Sequence, residues 1–522
     1  MFWADRHAEE IKKRFGKRTS PLIVRDEKTA SGRVHIGSMR GVAIHGTMAE
    51  VLAADGVLAT FLYEINDFDP MDGIPSELDS DVWAEHLGKP LCRVPSPDGK
   101  AKNFAEYYAD EFKGVIAEAG FKPEYYHSSE LYTSGKMNGV IRDALDAADR
   151  IRAIYKEVSG SVKKSDWLPI SVLCEQCGKI GTTEAHNWDG EKVSYICTKG
   201  PGGSVGCQHK GSVAPWDGAA KLPWKVEWPA KWKVVGVDIE GAGKDHSTKG
   251  GAREVSDTIA REVFGIESPY DIPYEFFLDR NGKKMSSSAG RGASSREIAD
   301  NFSPTILRLA LIGKEPAVQV SIDPSGELLA LLYDWHDRIA SAYWDKTDDN
   351  EARLFEVLYH GAPPQKIYYP RFSTVTFVAQ MQHLNIEEEF KGLKESVLTA
   401  EEKKELQERI VYARRWLERY APDKYRFVLA KDAIPDGVKD FSDTQKKALR
   451  SVLTFVEQNK SLIGADFHAK LHEIKEQIGI APKELFSALY IAFLGRDSGP
   501  QAGWFLSTID RDFLIARLKE VS

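Results

Sequence analysis

Residues 21–65 have the sequence pattern of a strand, a glycine-bearing turn, a helix and a second strand, in that order. The first strand is the β-rich run PLIVR, and TASGRVHIGSMRG follows it at 29–41. Apolar residues recur at helical spacing from Met39 until Gly56, and VLATFLYEI has the composition of a buried strand. This order predicts a βαβ unit, which is a building block of a parallel sheet covered by helices.

Later segments extend the same pattern. KWKVVGVDIEGAG at 231–243 predicts another strand, a helix is expected at about 247–264, and YEFFLD at 274–279 predicts a further short strand. The interval of about 80–215 then consists of insertions. From about residue 294 onward strand signals are scarce and helical periodicity dominates. The predicted fold is therefore α/β, with a Rossmann-type parallel sheet, an insertion and an all-α C-terminal region.

Length and charge restrict the class of protein. A chain of 522 residues is too long for one core, so two to four domains are expected. The N-terminal 18 residues mix acids with bases as an amphipathic helix does, and no apolar run is long enough to span a bilayer, so we expect a cytoplasmic protein. The net charge of −8 is uneven, because residues 401–522 hold 21 Lys/Arg against 19 Asp/Glu.

Four of the five cysteines lie within 34 residues: Cys174, Cys177, Cys197 and Cys207. In a chain without a secretion signal, such crowding indicates a metal before it indicates disulfides. Four thiolates suit tetrahedral Zn²⁺ in a closed structural site. The second pair is spaced more widely than a CxxC pair, so His209 is an alternative to Cys207 as fourth ligand. Four reduced cysteines in a packed subdomain are the other interpretation.

Two segments have the composition of a phosphate site. VHIGS lies in the turn from the first strand into the first helix, where parallel sheets bind ligands and helix N-termini bind anions. There His35 can donate to a phosphate oxygen, and Gly37 permits close backbone approach. RNGKKMSSSAG at 280–290 is a cationic, hydroxyl-rich loop that follows a late strand, and it suits a departing pyrophosphate.

HIG after the first strand and KMSSS after a late strand together resemble the two signatures of class I aminoacyl-tRNA synthetases. More closely, four segments are similar to the class I lysyl-tRNA synthetases: TASGRVHIGSMRG, KLPWKVEWPAKW, VVGVDIEGAGKDHSTKGG and DRNGKKMSSS. These motifs lie within residues 20–300. Two positions depart from the general class pattern, because Ser38 replaces the second histidine of HIGH and Ser287 replaces the second lysine of KMSKS.

The resemblance implies activation of lysine by ATP, normally with Mg²⁺, followed by transfer to tRNA(Lys). The residues it implies for catalysis are His35, Gly37, Ser38, Lys284, Met285, Ser286, Ser287 and Ser288. For ATP binding they are His35, Gly37, Asp238, Gly243, Asp245, His246, Lys283 and Lys284, with Lys284 favoured over Lys283 as the phosphate contact. For lysine binding they are Glu27, Thr29, Ser31, Glu64, Trp224, Asp238, Glu240 and Tyr274.

The resemblance also gives the domains their expected roles. Residues 1–80 and 215–293 are expected to form the Rossmann-type catalytic domain, and 81–214 a connective insertion with a zinc-binding subdomain at about 170–212. Residues 294–370 are expected to form a helical stem-contact region, and 371–522 an α-helical tRNA anticodon-binding domain. In the latter, Arg414, Arg415, Trp416, Tyr420 and Arg426 offer phosphate contacts and stacking faces, although Trp416 and Tyr420 also have the spacing of core residues. We expect a monomer.

Charge also bears on the identity of the amino acid, although the family resemblance carries more weight. A lysine pocket needs an anion for the ε-ammonium, and five acids lie at predicted strand ends: Glu27, Glu64, Asp67, Asp238 and Glu240. Arg25 could instead bind a substrate carboxylate, as a glutamate enzyme requires. The alternatives are therefore a class I synthetase for glutamate or another amino acid, a non-catalytic synthetase-derived RNA-binding protein, and a small-molecule nucleotidylyltransferase.

Overall fold

The computed structural model describes residues 1–16, 18–278, 294–381, 384–460 and 462–522. Within these residues the chain forms two compact units. The first comprises residues 1–323 and 339–364, and the second comprises residues 324–338 and 365–522. The C-terminal part of the second unit thus begins inside HGAPPQK, the proline-containing segment at 360–366.

The first unit contains all the described strands and most of the short helices. Its strands are β1 Leu22–Lys28, β2 Ala59–Ile65, β3 Glu124–His127, β4 Ser171–Val172, β5 Thr183–Trp188, β6 Val193–Cys197, β7 Lys210–Val213, β8 Ala220–Lys221, β9 Phe277–Leu278 and β10 Val320–Ser321. Its helices begin with α1 Trp3–Phe15, α2 Met39–Ala54, α3 Ser80–Trp83, α4 Phe104–Glu118, α5 Ser128–Thr133, α6 Asn138–Asp146 and α7 Ala148–Ser159. They continue with α8 Trp224–Val235, α9 Ala252–Glu262, α10 Ser295–Ala299 and α11 Pro304–Ile312. Helix α12 Leu328–Asp345 has residues in both units, and α13 Asp349–Leu358 belongs to the first.

A parallel sheet is the centre of the first unit and confirms the predicted α/β fold. Strand β2 pairs in parallel with β1 on one side and with β3 on the other. On the far side of β1, Ile239 forms a parallel bridge with Val24, and Tyr270 forms one with Ile239. Helix α2 connects β1 to β2 and ends before Gly56, whose φ of 77° a glycine adopts without strain. The predicted βαβ unit at 21–65 is therefore present.

Two segments differ from the sequence expectation. Residues 124–127 lie in the range 81–214 expected to be insertion, yet they form strand β3 of the parallel sheet. Four residues at a sheet edge are too few to show an alternating pattern. Residues 231–235, expected to be a strand, lie in α8, because KWKVV continues the helix begun at Trp224 until Gly236 ends it with a φ of 76°.

The insertion packs as a small body around a shared core. Strands β5, β6 and β7 form an antiparallel sheet, and β4 pairs with β8. Val172, Cys174, Val193, Tyr195 and Cys197 are buried in one apolar cluster together with residues of α6, α7, α8 and α9. Cys174 and Cys197 therefore lie in a core that is continuous with the neighbouring helices, Cys177 packs against that core, and Cys207 is exposed.

The second unit is helical throughout its described part. After the shared α12 it contains α14 Phe372–Val378, α15 Ile386–Lys394, α16 Ala400–Arg419, α17 Asp443–Gln458, α18 Gly464–Ile478, α19 Pro482–Leu494, α20 Ala502–Ser507 and α21 Arg511–Val521. This confirms the predicted all-α C-terminal region. None of the helices among the described residues has the length and apolar composition needed to cross a membrane.

Trp416 belongs to the core of the second unit. It is only 1% exposed, its ring lies near Phe372 and Tyr425, and its Nε1 donates to the Gly326 carbonyl at 3.1 Å. A ring buried in this way cannot stack on a nucleic-acid base. Of the two roles that the sequence allowed for Trp416, the structure therefore supports packing.

Candidate active site

Arg25 is the centre of a buried charge network at the parallel sheet. Its guanidinium is fully buried and donates to Glu27 at 2.5 Å, to Glu64 at 2.6 Å and to Glu240 at 2.6 Å. Its Nε also donates to the Tyr126 hydroxyl at 2.7 Å. Burial alone would lower the pKa of Arg25, but the carboxylates outweigh it and hold the pKa well above its ordinary value. Arg25 is therefore a permanent cation, and four of its five N–H groups already donate to neighbouring side chains.

Helix α8 supplies the second cation of the network. Lys231 is buried, donates to Glu64, and lies 3.3 Å from Glu227 and 3.6 Å from Glu27. Lys221, just before the helix, pairs with Glu227 at 2.6 Å and with Asp69 at 2.9 Å. Burial raises the pKa of Glu64, but Lys231 and Arg25 outweigh it and lower the pKa to about 2. Glu64 is therefore ionised and saturated with donors.

The network has more acids than bases. Among the described residues, five carboxylates face three cations: the carboxylates are those of Glu27, Glu64, Asp69, Glu227 and Glu240, and the cations are Arg25, Lys221 and Lys231. Buried excess charge is costly unless a ligand or a proton neutralises it. Burial is the largest influence on Glu27, and it raises the pKa of Glu27 above its usual 4.5 despite Lys231 and Arg25. The network is thus suited to receive one further cation at Glu27.

Glu27 and its neighbours define the open side of this network. The Glu27 side chain is 20% exposed, and among the described residues only its Oε2 is engaged. Glu64 and Glu240, also predicted to bind lysine, are almost fully buried, and Glu240 accepts from Arg25, Trp228 and Trp232. They therefore hold the site's cations and indoles in place and have no surface to offer a ligand.

Aromatic rings form one wall near the network. Trp224 is 38% exposed, stacks on Trp228 with ring centroids 5.8 Å apart, and meets the His246 ring at 5.0 Å. Trp228 and Trp232 are buried, so both of these rings serve packing. Trp224 and His246 thus lie together, where an aliphatic stem or a cation can contact them.

The HIG turn lies where the sequence placed it. His35 precedes a short 3₁₀ helix, Ile36–Ser38, and α2 begins at Met39. A Cβ added to Gly37 would lie 2.5 Å from Cε1 of His35, so the ring lies directly against the glycine. Ser294 forms an isolated antiparallel β-bridge with His35, and Ser295 donates its N–H to the Val34 carbonyl at 2.7 Å. The segment that follows the Lys/Ser loop in sequence therefore returns to the HIG turn.

Residues 279–293, including Lys283, Lys284, Met285, Ser286, Ser287 and Ser288, lie outside the described residues. Phe277 and Leu278 pair with Val320 and Ser321 in β10, and Ser294 caps α10 with a capping box.

Asp238 is placed differently from the prediction. It accepts from the Ile23 N–H at 2.9 Å and from Arg18 at 2.5 Å, so it lies beside the amino-terminal end of β1. Ligands of parallel sheets bind at the carboxyl ends of the strands. The strand was predicted from residue 231, but the extended segment begins only next to Ile239, so Asp238 lies at its amino-terminal end and not near its carboxyl end. We therefore do not retain it as a ligand.

The remaining predicted ligands fall into three groups. The Thr29 hydroxyl donates to Asp69 at 2.6 Å, and Ser31 lies two residues further along the same turn. Gly243 forms an isolated parallel β-bridge with Tyr274. The Tyr274 hydroxyl lies next to Gly41 and Asp26. Asp245 and His246 come before α9, but that helix begins only at Ala252 with Gly251 as its N-cap. Neither Asp245 nor His246 therefore caps this helix.

Sequence reasoning missed four members of the network: Lys221, Glu227, Lys231 and Asp69. The signal was present in KLPWKVEWPAKW, where Glu227 and Lys231 stand four residues apart on a helix and form an ion pair at 3.3 Å. Such pairs are usually solvated, and nothing in the local sequence shows that this one is buried.

The four cysteines converge as predicted. The Sγ atoms of Cys174 and Cys207 lie 3.6 Å apart, those of Cys177 and Cys197 lie 3.7 Å apart, and all four lie within 4.8 Å of one another. Thiolates bound tetrahedrally at about 2.3 Å from Zn²⁺ are about 3.8 Å apart, so the cluster fits this ion. The ring of His209 packs against Tyr195 instead, which identifies Cys207 as the fourth candidate ligand.

Comparison with known proteins agrees with these motifs. A family model described as tRNA synthetases class I (K) matches residues 1–363. The chain belongs to the class I lysyl-tRNA synthetases. Three archaeal relatives of this family, each called a lysine–tRNA ligase, match over the whole chain. The relative from Methanosarcina barkeri (strain Fusaro) is 33% identical over 544 residues, which cover 100% of this chain and 98% of the relative.

The other two relatives are similarly distant. The lysine–tRNA ligase 1 of Methanosarcina acetivorans is 33% identical over 545 residues, with 100% of this chain and 98% of the relative covered. The lysine–tRNA ligase of Thermoplasma volcanium is 30% identical over 531 residues, with coverage of 100% and 99%. Recognition of glutamate, the alternative substrate, would require Arg25 to bind the side-chain carboxylate of that substrate. In this lysyl-tRNA synthetase Arg25 instead pairs with three carboxylates of the protein.

Proposed function

We propose that the chain activates L-lysine with ATP and transfers the lysyl group to tRNA(Lys). In the first step the lysine carboxylate forms a bond to the α-phosphorus, and the bond to the β-phosphate breaks to release pyrophosphate. In the second step a ribose hydroxyl of the terminal nucleotide attacks the carbonyl carbon and releases AMP. The observation that carries the proposal is the acidic excess around Arg25, which favours a cationic side chain.

We propose that Glu27 binds the ε-ammonium of lysine. Its partly exposed carboxylate lies next to two buried cations, and one further cation would reduce the acidic excess of the network from two charges to one. Thr29 and Ser31 follow in the same turn and offer hydroxyls to the other polar groups of the amino acid. Trp224 and His246 would contact the aliphatic stem, whereas the Tyr274 hydroxyl lies next to Gly41 and Asp26, on the opposite face of β1 from Glu27.

We propose that the HIG turn and the Lys/Ser loop bind the phosphates of ATP. The bridge between His35 and Ser294 supports this, because Ser294 follows Ser288 by only six positions. His35 and Lys284 would donate to the oxygens on which charge develops as pyrophosphate leaves. Ser286, Ser287, Ser288 and the backbone around Gly37 and Gly243 would complete the contacts, with Lys283, Ser38, Met285 and Asp245 beside them. Mg²⁺ bound with ATP would neutralise part of the phosphate charge.

We propose that the four-cysteine cluster holds a structural Zn²⁺ and that the helical C-terminal region binds the anticodon end of tRNA. The cluster has no open position for a substrate if all four thiolates bind, which suits a structural role. For the helical region the support is its slight excess of bases and the exposure of Arg414 and Arg415. Residues 294–370 would then face the stem of the tRNA.

Charging of tRNA tests the proposed function as a whole. The purified chain should attach labelled lysine to unfractionated tRNA in the presence of MgATP. It should not attach labelled glutamate or arginine. Attachment of one of these in place of lysine would overturn the substrate assignment, and failure to charge any tRNA would overturn the enzyme assignment.

Replacing Glu27 with glutamine should raise the KM for lysine by roughly tenfold or more, because a charged hydrogen bond to the ammonium is lost. The KM for ATP should change little. In the wild type the KM for lysine should rise as the pH falls towards the pKa of Glu27. Since that pKa is raised, the loss begins at a higher pH than for an ordinary carboxylate. Steady-state pyrophosphate exchange at several pH values measures both effects.

Glu111→Gln is the matched control for this variant, because Glu111 pairs with Arg33 outside the network. It should leave the KM for lysine and its pH dependence unchanged. A Glu27→Gln enzyme with the wild-type KM for lysine would remove Glu27 from the ammonium site.

Replacing Cys174 with alanine should abolish stoichiometric zinc binding, because three thiolates remain of a tetrahedral set. Purified wild type should hold about one zinc per chain, and metal analysis of both proteins measures the difference. Cys92→Ala is the control, since Cys92 lies outside the cluster. Full zinc retention by Cys174→Ala would contradict the ligand assignment.

A further inference from the structure

Lys28 is a cation at the carboxyl end of β1 that the activity described above does not use. It is partly buried, it is paired in register with Ile65, and its carbonyl accepts from the Asn66 N–H at 3.0 Å. Within the described ranges, no carboxylate lies within 4.0 Å of its Nζ and no hydrogen-bond acceptor contacts it. Burial lowers the pKa of Lys28 from its usual 10.5, and the nearby Asp26 and Glu27 offset only part of this.

The two faces of β1 separate the charges of this strand. Side chains of a strand alternate between faces, so Arg25 and Glu27 lie on one face, and Asp26 and Lys28 lie on the other. The first face carries the buried network. On the second face, Asp26 lies against α2, because a Cβ added to Gly41 would be 2.5 Å from Oδ2 of Asp26. Nδ1 of His45, one helical turn further along α2, lies 3.6 Å from the same oxygen. Lys28 is thus on the face of α2, away from the proposed ammonium site.

The positions along strand and helix bring Lys28 level with the HIG turn. Two strand residues advance by about 6.6 Å, from Asp26 to Lys28. Because α2 returns along the sheet in the opposite direction, the same advance corresponds to about four helical residues, from Gly41 back to Gly37. Gly37 is the glycine against which His35 packs. Lys28 is therefore at the height of His35 and Gly37, where the proposed function places the phosphates.

We propose that Lys28 binds a phosphate oxygen of ATP, and of pyrophosphate in the reverse reaction. An unpaired lysine next to two acids would be expected to turn towards them. This lysine instead is paired with neither Asp26 nor Glu27, and a phosphate at the HIG turn supplies the counter-charge it lacks. Lysine suits this role because its ammonium is a compact charge on a flexible stem. The inference rests on the proposed function, since it assigns Lys28 to the phosphate half of that site.

Steady-state pyrophosphate exchange by the full-length chain tests the role of Lys28, with MgATP, pyrophosphate and lysine varied in turn. Lys28→Met should raise the KM for MgATP and for pyrophosphate by about tenfold or more, which is the scale of a lost charged hydrogen bond. The KM for lysine should stay within about twofold of the wild type, since the ammonium site is on the other face. Lys28→Arg keeps the charge and should recover most of the affinity for MgATP.

Lys122→Met is the matched control, because Lys122 is exposed and precedes β3 at the amino edge of the same sheet. It should leave all three KM values unchanged. If Lys28→Met does not fold, Lys28→Gln is measured in its place with the same expectation. Wild-type KM values for MgATP and pyrophosphate in the neutral variant would overturn the inference. So would a rise confined to the KM for lysine. Absence of lysine-dependent exchange in the wild type would instead refute the proposed function.

Discussion

Replacing Arg25 with methionine should lower the free energy of unfolding of the first unit by about 3–5 kcal/mol, the cost of breaking a buried ion pair from one side. The variant leaves Glu27, Glu64 and Glu240 without their shared cation, and all three carboxylates lie within 2.6 Å of the guanidinium in the native protein. Urea unfolding of the full-length chain, followed by tryptophan fluorescence, measures the change in the transition of the first unit.

Arg33→Met is the control for this prediction. Arg33 also pairs with two carboxylates, at 2.9 and 3.5 Å, but its side chain is 45% exposed. Exposed pairs contribute little, so its loss should cost less than about 1 kcal/mol. Adding Glu240→Gln to Arg25→Met should recover part of the stability, because it removes one unpaired charge. Equal stability of the two single variants would mean that the buried network does not hold the sheet together.

Replacing His35 or Lys284 with alanine should reduce the rate of lysine-dependent pyrophosphate exchange by roughly 10²-fold each, the effect of losing one donor to the transition state. His35 lies against Gly37 just before α2. Ser294, with which His35 forms a β-bridge, follows the Lys/Ser loop in sequence. The decrease should appear in kcat, because the charge on the departing pyrophosphate develops only during the reaction.

Two further variants separate this effect from general damage. His186 is an exposed histidine of β5 in the insertion, and His186→Ala should exchange pyrophosphate at the wild-type rate. Lys283→Ala should lose much less activity than Lys284→Ala, because we assign the phosphate contact to Lys284. A larger loss in Lys283→Ala than in Lys284→Ala would mean that Lys283, and not Lys284, makes the phosphate contact. Near-normal exchange by His35→Ala would exclude that histidine from the mechanism.

The elements that the sequence predicts well are those with long, unambiguous patterns. Helix α2 has apolar residues on nearly every side and a glycine stop, and β1 and β2 are buried runs on either side of it. Strand β3 has only four residues, and its pairing with β2 depends on a partner about 60 positions away in sequence. KWKVV has strand composition, yet the helix begun at Trp224 continues through it. Tertiary packing decides both cases.

The candidate site shows the same division. The HIG turn and the cysteine cluster are local or nearly local patterns, and both could be predicted by residue number. The role of Arg25 could not, because the sequence allowed it to bind a substrate carboxylate and does not show which acids surround it. The structure resolves this through Glu240, which is 215 positions away and accepts from Arg25 at 2.6 Å. Asp238 was misplaced for a related reason, since the beginning of a short strand decides which edge of the sheet an acid occupies.

Amino-acid-dependent pyrophosphate exchange tests the central claim most directly, because it reports on activation alone and does not require tRNA. The full-length chain is incubated with MgATP and labelled pyrophosphate, and lysine, glutamate, arginine or norleucine is added in separate reactions. Norleucine matches the lysine side chain without its ammonium, so it tests the acidic excess around Glu27. We expect label to enter ATP with lysine and only weakly, if at all, with the other three. Exchange with glutamate or norleucine at the rate seen with lysine would contradict the assignment of the acidic network to lysine recognition.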